Sequence, residues 1–185
     1  MKFKIGFEPE DKKELFKHWN EILENNIWSE GKFTKNLEEK WSEYNSLSSV
    51  SFSSWAGAAE AVLKYFNLEN ETILCPSNTF QATPMVSKLN NIDVKFVDCN
   101  KNDLCVSYEN LVEKIKEHKP KAIWVVHIGG HICFEIEKIS EYCKKNKIIL
   151  LEDCAHAHGA MYNGKKPGSW GDAGIYSLYA TKTIS

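Results

Sequence analysis

No run of about 18 apolar residues occurs in the 185-residue chain, so no segment reads as a membrane-spanning helix. The opening MKFKIGFEPEDKK has acidic side chains where a secretory leader carries an apolar core, which points away from secretion. Charge of one sign is also missing. Lys and Arg total 23 against 25 Asp and Glu, for a formal net charge of -2, and the lysines are scattered among acids. That balance lacks the basic footprint of a nucleic-acid binder. The six cysteines, at 75, 99, 105, 133, 143 and 154, form no CxxC pair. Cys75, Cys99 and Cys154 lie in or beside apolar runs, where small buried thiols are common. Reduced structural cysteines and a cytoplasmic protein are the expectation. There is no GxGxxG, no GKS or GKT, no internal repeat and no low-complexity linker.

What is present is an alternation of short β-rich runs with amphipathic helical runs. The strands are expected at 48–53, 72–75, 94–97, 122–126, 148–151 and 173–177. WVV and IILL are continuous apolar runs, as suits strands covered by helices on both faces and so a mostly parallel sheet. Leu111, Val112 and Ile115 share a helical face that Ser107 is placed to cap, and Ile136, Ile139, Tyr142 and Cys143 repeat the spacing. Earlier, Leu15, Trp19, Ile22 and Leu23 form one stripe and Leu37, Trp41 and Tyr44 another, read as packing groups rather than a ligand box. From about residue 48 the order is that of a layered α/β domain, with two helices before it.

In open parallel sheets the ligand crevice lies at the carboxyl ends of the strands, and three such exits carry chemistry. Ser53-Ser54-Trp55-Ala56-Gly57-Ala58 runs into a helix whose first N–H groups suit a phosphate, or forms a close-packed turn. Leu151-Glu152-Asp153-Cys154-Ala155-His156-Ala157-His158-Gly159 places a carboxylate where a core strand ends. Such an acid needs a cation or a hydrogen-bond donor, and a protonated cofactor ring nitrogen serves. A metal site is the competing reading, because His, Asp, Glu and Cys are all ligand types, with His127 and His131 as further donors. The third exit, Tyr176-Ser177-Leu178-Tyr179-Ala180-Thr181-Lys182, offers a lysine amine able to form a Schiff base and a hydroxyl for phosphate. Alone, Lys182 reads as a surface lysine; together with Asp153 it supplies the two poles of a pyridoxal site.

Taken in order, CPSNTFQAT (75–83), VKFVDC (94–99), VVHIGG (125–130) and LEDCAHAHGAMYNGKKPGSWGDAGIYSLYATK (151–182) resemble segments of the DegT/DnrJ/EryC1/StrS family. These are sugar aminotransferases, fold-type I pyridoxal-phosphate enzymes acting on nucleotide-linked keto-sugars, and the resemblance runs from about Gly31 to the end. It implies a fold-type I large domain: an α/β fold with a mostly parallel sheet covered by helices, incomplete at the C-terminus. Residues 1–47 would be a helical segment packing on that domain, and residues 48–185 part of the pyridoxal-phosphate-binding domain. Lys182 would form the internal aldimine and later act as base, and Asp153 would hold the pyridine nitrogen protonated. Phe80 would cover a ring face, His156 would lie beside the phenolic oxygen, and Ser177 with the Ala56 and Gly57 N–H groups would bind phosphate. L-glutamate would be the amino donor, a nucleotide-linked keto-sugar the acceptor, and a homodimer the assembly.

Two features depart from the family pattern. Ser54-Trp55-Ala56-Gly57 stands where the family typically has Ser/Asn-Gly-Thr-Ala, and His156 where it usually has Gln. The resembling enzymes also continue for about as many residues again, including a strand expected between the sixth and the first, whose lack would leave a gap in the sheet. A catalytically impaired regulatory or structural relative suits the altered turn and the length. Keto-sugar dehydration is a further outcome on this scaffold. In dehydratase relatives a His replaces the Schiff-base lysine, so Lys182 argues for transfer.

Overall fold

The protein, described from residue 6 to residue 184 by a computed structural model, separates into two compact units at the Ser51/Phe52 junction. In the first, α1 (Pro9–Asn25) begins with a proline at a position whose N–H has no helical acceptor, and left-handed Asn26 ends it. Helix α2 (Lys32–Asn45) ends on left-handed Ser46. Lys32 pairs with Glu21, and the His18 and Phe33 rings meet at 4.7 Å. The backbone N–H and hydroxyl of Ser51 both donate to Glu38 Oε1 at 2.8 Å, which holds that carboxyl below its usual range. The α1 stripe read as packing groups is instead exposed: Trp19 is 56% and Leu23 53% accessible, and α1 buries no residue. Two helices of this length enclose too little volume to bury both their apolar faces.

The second unit is a five-stranded, wholly parallel sheet with helices on both faces. Its elements run α3 (Trp55–Tyr65), β1 (Thr72–Pro76), α4 (Ala82–Leu89), β2 (Asp93–Val97), α5 (Tyr108–His118), β3 (Ala122–Val126), α6 (Ile136–Asn146), β4 (Ile149–Asp153) and β5 (Ala173–Ile175). The spatial order is β2-β1-β3-β4-β5. Side chains alternate between two cores, as the two-residue period of a strand requires. Leu74, Ile123, Val125 and Leu150 pack with Leu111, Ile115, Ile136 and Ile139 of α5 and α6. Ile73, Cys75, Trp124 and Leu151 pack with Ala59, Leu63 and Val86 of α3 and α4. All five residues of β3 are buried, which is why WVV shows no polar alternation.

Residues 48–53, expected as a first strand, form none, and Val50 and Phe52 are 74% and 50% exposed. Among the described residues no strand supplies ladder partners to that segment. The expected gap is therefore not seen among the described strands. They pair continuously with β5 at an edge, as suits a large-domain sheet incomplete at the C-terminus. The last strand is also shorter than expected, Ala173–Ile175, since the chain leaves the ladder at Tyr176.

Strand order reverses between β1, which leads outward to β2, and β3, which leads the other way to β4 and β5. That switch point opens a crevice at the carboxyl ends of β1 and β3.

Candidate active site

Asp153 closes β4 at this end of the sheet and is 5% exposed. Its Oδ2 accepts from the Thr83 hydroxyl at 2.8 Å and its Oδ1 from the Ala155 N–H at 3.0 Å. Thr83 comes from the first turn of α4, so the helix after β1 aims a donor at the acid ending β4. Burial pushes the Asp153 carboxyl above its usual range, against the opposing pull of Thr83, Ala155, His156 and His127. The same burial, aided by Asp153, pushes the neighbouring Cys75 thiol up to about 12. Among the described residues no ion pair reaches Asp153. The site thus holds a desolvated carboxylate with no cation of its own.

Lys182 is half-buried and its backbone N–H donates to the Tyr179 carbonyl at 2.8 Å. It shares a neighbourhood with Asp153 through His156. Burial first, then the Lys182 charge, lower the His156 pKa, while Asp153 pulls it upward. The His156 imidazole is accordingly neutral at neutral pH. The His158 pKa is lowered chiefly by burial, against an upward pull from the Ser177 backbone, with Lys182 adding to the lowering. Ser177 is itself buried, and its hydroxyl accepts from the Tyr179 N–H at 3.3 Å. Asp153, His156, Ser177 and Lys182 are therefore brought to one end of the sheet. Phe80 stands on the loop leaving β1, 66% exposed, and its carbonyl accepts from the Thr83 N–H at 3.1 Å.

At the start of α3, Ser54 is the N-cap and accepts from the Gly57 N–H at 3.0 Å. Of the two donors expected for phosphate, that of Gly57 is already engaged by the cap, because a serine in this position satisfies the third N–H of a helix. The Ala56 N–H has no acceptor among the described residues. Trp55, the bulky residue of the turn, stacks at 5.9 Å on Trp124 from β3.

The metal reading of the β4 exit meets a different arrangement. His127, Glu152 and Cys154 do lie within ligand distance of one another. The Glu152 carboxylate, fully buried, is already saturated by Gly168, Trp170 and Gly171 N–H groups at 2.8, 2.7 and 2.6 Å and by His127 Nε2 at 2.9 Å. His127 Nδ1 accepts from the Cys133 N–H at 3.1 Å, which places the ring proton on Nε2, facing Glu152. Glu152 therefore pins the 168–171 loop under the site. Gly168, at φ 84, lies so close to Gly174 of β5 that a Cβ on Gly174 would overlap it. Thr83 escaped the sequence reading, its only signal being a hydroxyl in a first helical turn, and Glu152, considered there only among metal-ligand types, instead anchors a loop.

The model of the DegT/DnrJ/EryC1/StrS aminotransferase family matches residues 9–185. The chain belongs to that family. Within the DegT/DnrJ/EryC1/StrS aminotransferases it is similar to the GDP-perosamine synthase of Escherichia coli O157:H7, 31% identical over 90% of this chain and 46% of that protein. It is 30% identical to the dTDP-3-amino-3,6-dideoxy-alpha-D-galactopyranose transaminase of Aneurinibacillus thermoaerophilus, over 90% of this chain and 46% of the relative. A solved GDP-4-keto-6-deoxymannose-3-dehydratase holding a trapped PLP-glutamate geminal diamine superposes with a TM-score of 0.83 at 25% identity, covering 92% of this chain and 46% of that one. The chain spans about half the length of the relatives it matches. Among its described residues no helix is long and apolar enough to cross a membrane.

Proposed function

We propose that this chain carries the cofactor-binding part of a pyridoxal-phosphate-dependent aminotransferase that moves an amino group from L-glutamate to a nucleotide-linked keto-sugar. The observation that carries the reading is the buried Asp153 carboxyl at the β4 exit, held by Thr83 and the Ala155 N–H and met by no ion pair among the described residues, with Lys182 following the adjacent β5 exit. A pyridinium N–H fits that acid because it supplies the missing positive charge. An aldehyde fits the lysine, the amine held at the crevice. When bound, pyridoxal phosphate supplies an aldehyde for amines and a protonated ring that withdraws electrons from the attached carbon.

The chain's own residues do the rest. Thr83 and the Ala155 N–H fix the carboxylate of Asp153, which then keeps a proton on the ring nitrogen. Lys182 would hold the cofactor through its aldehyde, and its freed Nζ would serve as the base at the amine-bearing carbon. Neutral His156 donates one hydrogen bond toward the phenolic oxygen, the role a Gln amide serves in relatives. The phosphate falls to the Ala56 N–H at the positive end of α3 and to the Ser177 hydroxyl. Phe80, exposed at the β1 exit, would be free to cover a face of the ring. A homodimer in the cytoplasm is part of the same reading.

Dehydration is the second reading, favoured by similarity to the keto-sugar dehydratase. Lys182 speaks for transfer, since a lysine can both hold and release the cofactor aldehyde. The test is turnover: L-glutamate with a panel of nucleotide-linked keto-sugars should yield 2-oxoglutarate and the amino sugar in equal amounts. Ammonia released without an amino sugar would favour the dehydratase reading, and no turnover with pyridoxal phosphate demonstrably bound would favour a regulatory relative.

A further inference from the structure

A second group of reactive side chains stands where the β2–α5 and β3–α6 connections meet, apart from Asp153 and Lys182. Each connection contributes a pair of donors two residues apart: Asp103 and Cys105 from the first, His131 and Cys133 from the second. Asp103, Cys105 and His131 each place one ligand atom within 4.8 Å of the other two. Cys105 Sγ lies 3.8 Å from His131 Nε2. The edge of a tetrahedron with Zn–S about 2.3 Å and Zn–N about 2.05 Å is about 3.6 Å, so this pair already stands near ligating separation. The Cys133 thiol, two residues beyond His131, instead points to the Val106 carbonyl at 4.0 Å and lies outside this trio. We infer that Asp103, Cys105 and His131 form a binding site for a thiophilic divalent cation of the zinc type, with solvent in the fourth position.

The charge balance of the site fits a dication. Asp103 and Cys105 are 3% and 1% exposed. The Asp103 carboxylate meets only two backbone donors, Cys105 N at 2.9 Å and Phe134 N at 2.6 Å, and no ion pair among the described residues reaches it. A dication offsets that buried charge and turns the Cys105 thiol into a thiolate, releasing one proton to solvent. His131 now donates its Nε2 proton to the Asp103 carbonyl at 2.9 Å. On ligation that proton moves through solvent to Nδ1, and the ring stays neutral. A cavity of about 280 Å³ lined by His131, Phe134, Met161 and Tyr162 gives access from the histidine side. The mixed set of one sulfur, one nitrogen and one carboxylate oxygen suits zinc over magnesium or calcium. Bound there, the ion cross-links two strand-exit loops that are otherwise held together by the Phe134–Asp103 and Tyr108–Glu135 hydrogen bonds.

The experiment is a Co²⁺ titration of the full chain, reduced and stripped of metal, followed by absorbance. One equivalent should produce thiolate-to-cobalt charge-transfer absorption with tetrahedral ligand-field bands, both erased by Zn²⁺. Cys105→Ser should abolish the charge-transfer absorption, since it removes the thiolate ligand. His131→Ala, at a half-buried loop position that tolerates change, should weaken Co²⁺ binding at least ~100-fold. Cys99→Ser, a thiol outside the cluster, should leave the spectrum as it is. Absence of the bands in the wild-type chain, or their survival unchanged in both Cys105→Ser and His131→Ala, would overturn the inference.

Discussion

Glu152→Gln keeps the shape of a fully buried side chain and exchanges one acceptor oxygen for a donor NH2. In the native site Oε1 accepts from Trp170 N at 2.7 Å and Gly171 N at 2.6 Å, and Oε2 from Gly168 N at 2.8 Å and His127 Nε2 at 2.9 Å. Whichever way the amide faces, two N–H donors lose their acceptor and confront a second donor. The His127 side offers no tautomeric escape, because Nδ1 already accepts from Cys133 N at 3.1 Å. Stranding a buried donor costs about 1–3 kcal/mol, so the pair costs about 2–6 kcal/mol. That is a large share of the roughly 5–15 kcal/mol by which domains are stable. At about 2–4 °C per kcal/mol for a chain of this size, the melting temperature should fall by roughly 5–20 °C. Urea unfolding followed by circular dichroism reads the loss directly, with an unchanged m-value confirming that stability alone moved. A loss below about 1 kcal/mol would refute the reasoning that Glu152 pins the 168–171 loop.

Asp153→Asn should separate binding from stability. Burial raises the Asp153 carboxyl, so the stability of its neutral form is fully present below the usual aspartate pKa and lost as pH rises through the raised value. Without cofactor, Asp153→Asn should therefore gain on the wild type in urea midpoint between acidic and neutral pH, while binding pyridoxal phosphate more weakly; parallel pH curves would contradict this. Thr83→Val removes a donor to a charged acceptor, worth about 1.5–3 kcal/mol, and should weaken cofactor binding roughly tenfold or more in an absorbance titration. An unchanged dissociation constant would show that Thr83 does not hold Asp153 for the cofactor. Ser54→Ala removes the α3 cap and should cost about 1 kcal/mol in urea unfolding; no loss would show the cap to be idle.

Much of the sheet was legible because its strands are covered on both faces: WVV and IILL are continuous apolar runs for that reason. Helices α5 and α6 were legible because each buries a regular stripe, Leu111 and Ile115 in one and Ile136, Ile139 and Cys143 in the other. Helix α4 shows no such stripe, since its buried face is Thr83, Val86 and Ser87, with Ser87 Oγ accepting from Trp124 Nε1 at 3.1 Å. Its role in aiming Thr83 at Asp153 was invisible for the same reason. The 48–53 run has strand-forming residues but no strand to pair with, and pairing is a long-range property that local composition does not encode. Asp153 and Lys182 could be named because an acid and an amine at strand exits are chemically conspicuous. The engagement of the Gly57 N–H by Ser54 could not, because a cap and a phosphate compete for the same donor and only geometry tells which has it.

The central claim is that one flat heterocycle is held between the Asp153 carboxylate and the Lys182 amine. Incubation with pyridoxal phosphate, borohydride reduction and peptide mass mapping tests it most directly. The account predicts one pyridoxyl addition, on Lys182, abolished in Lys182→Ala and much reduced in Asp153→Asn. Labelling spread over surface lysines, or retained in full by both variants, would contradict it.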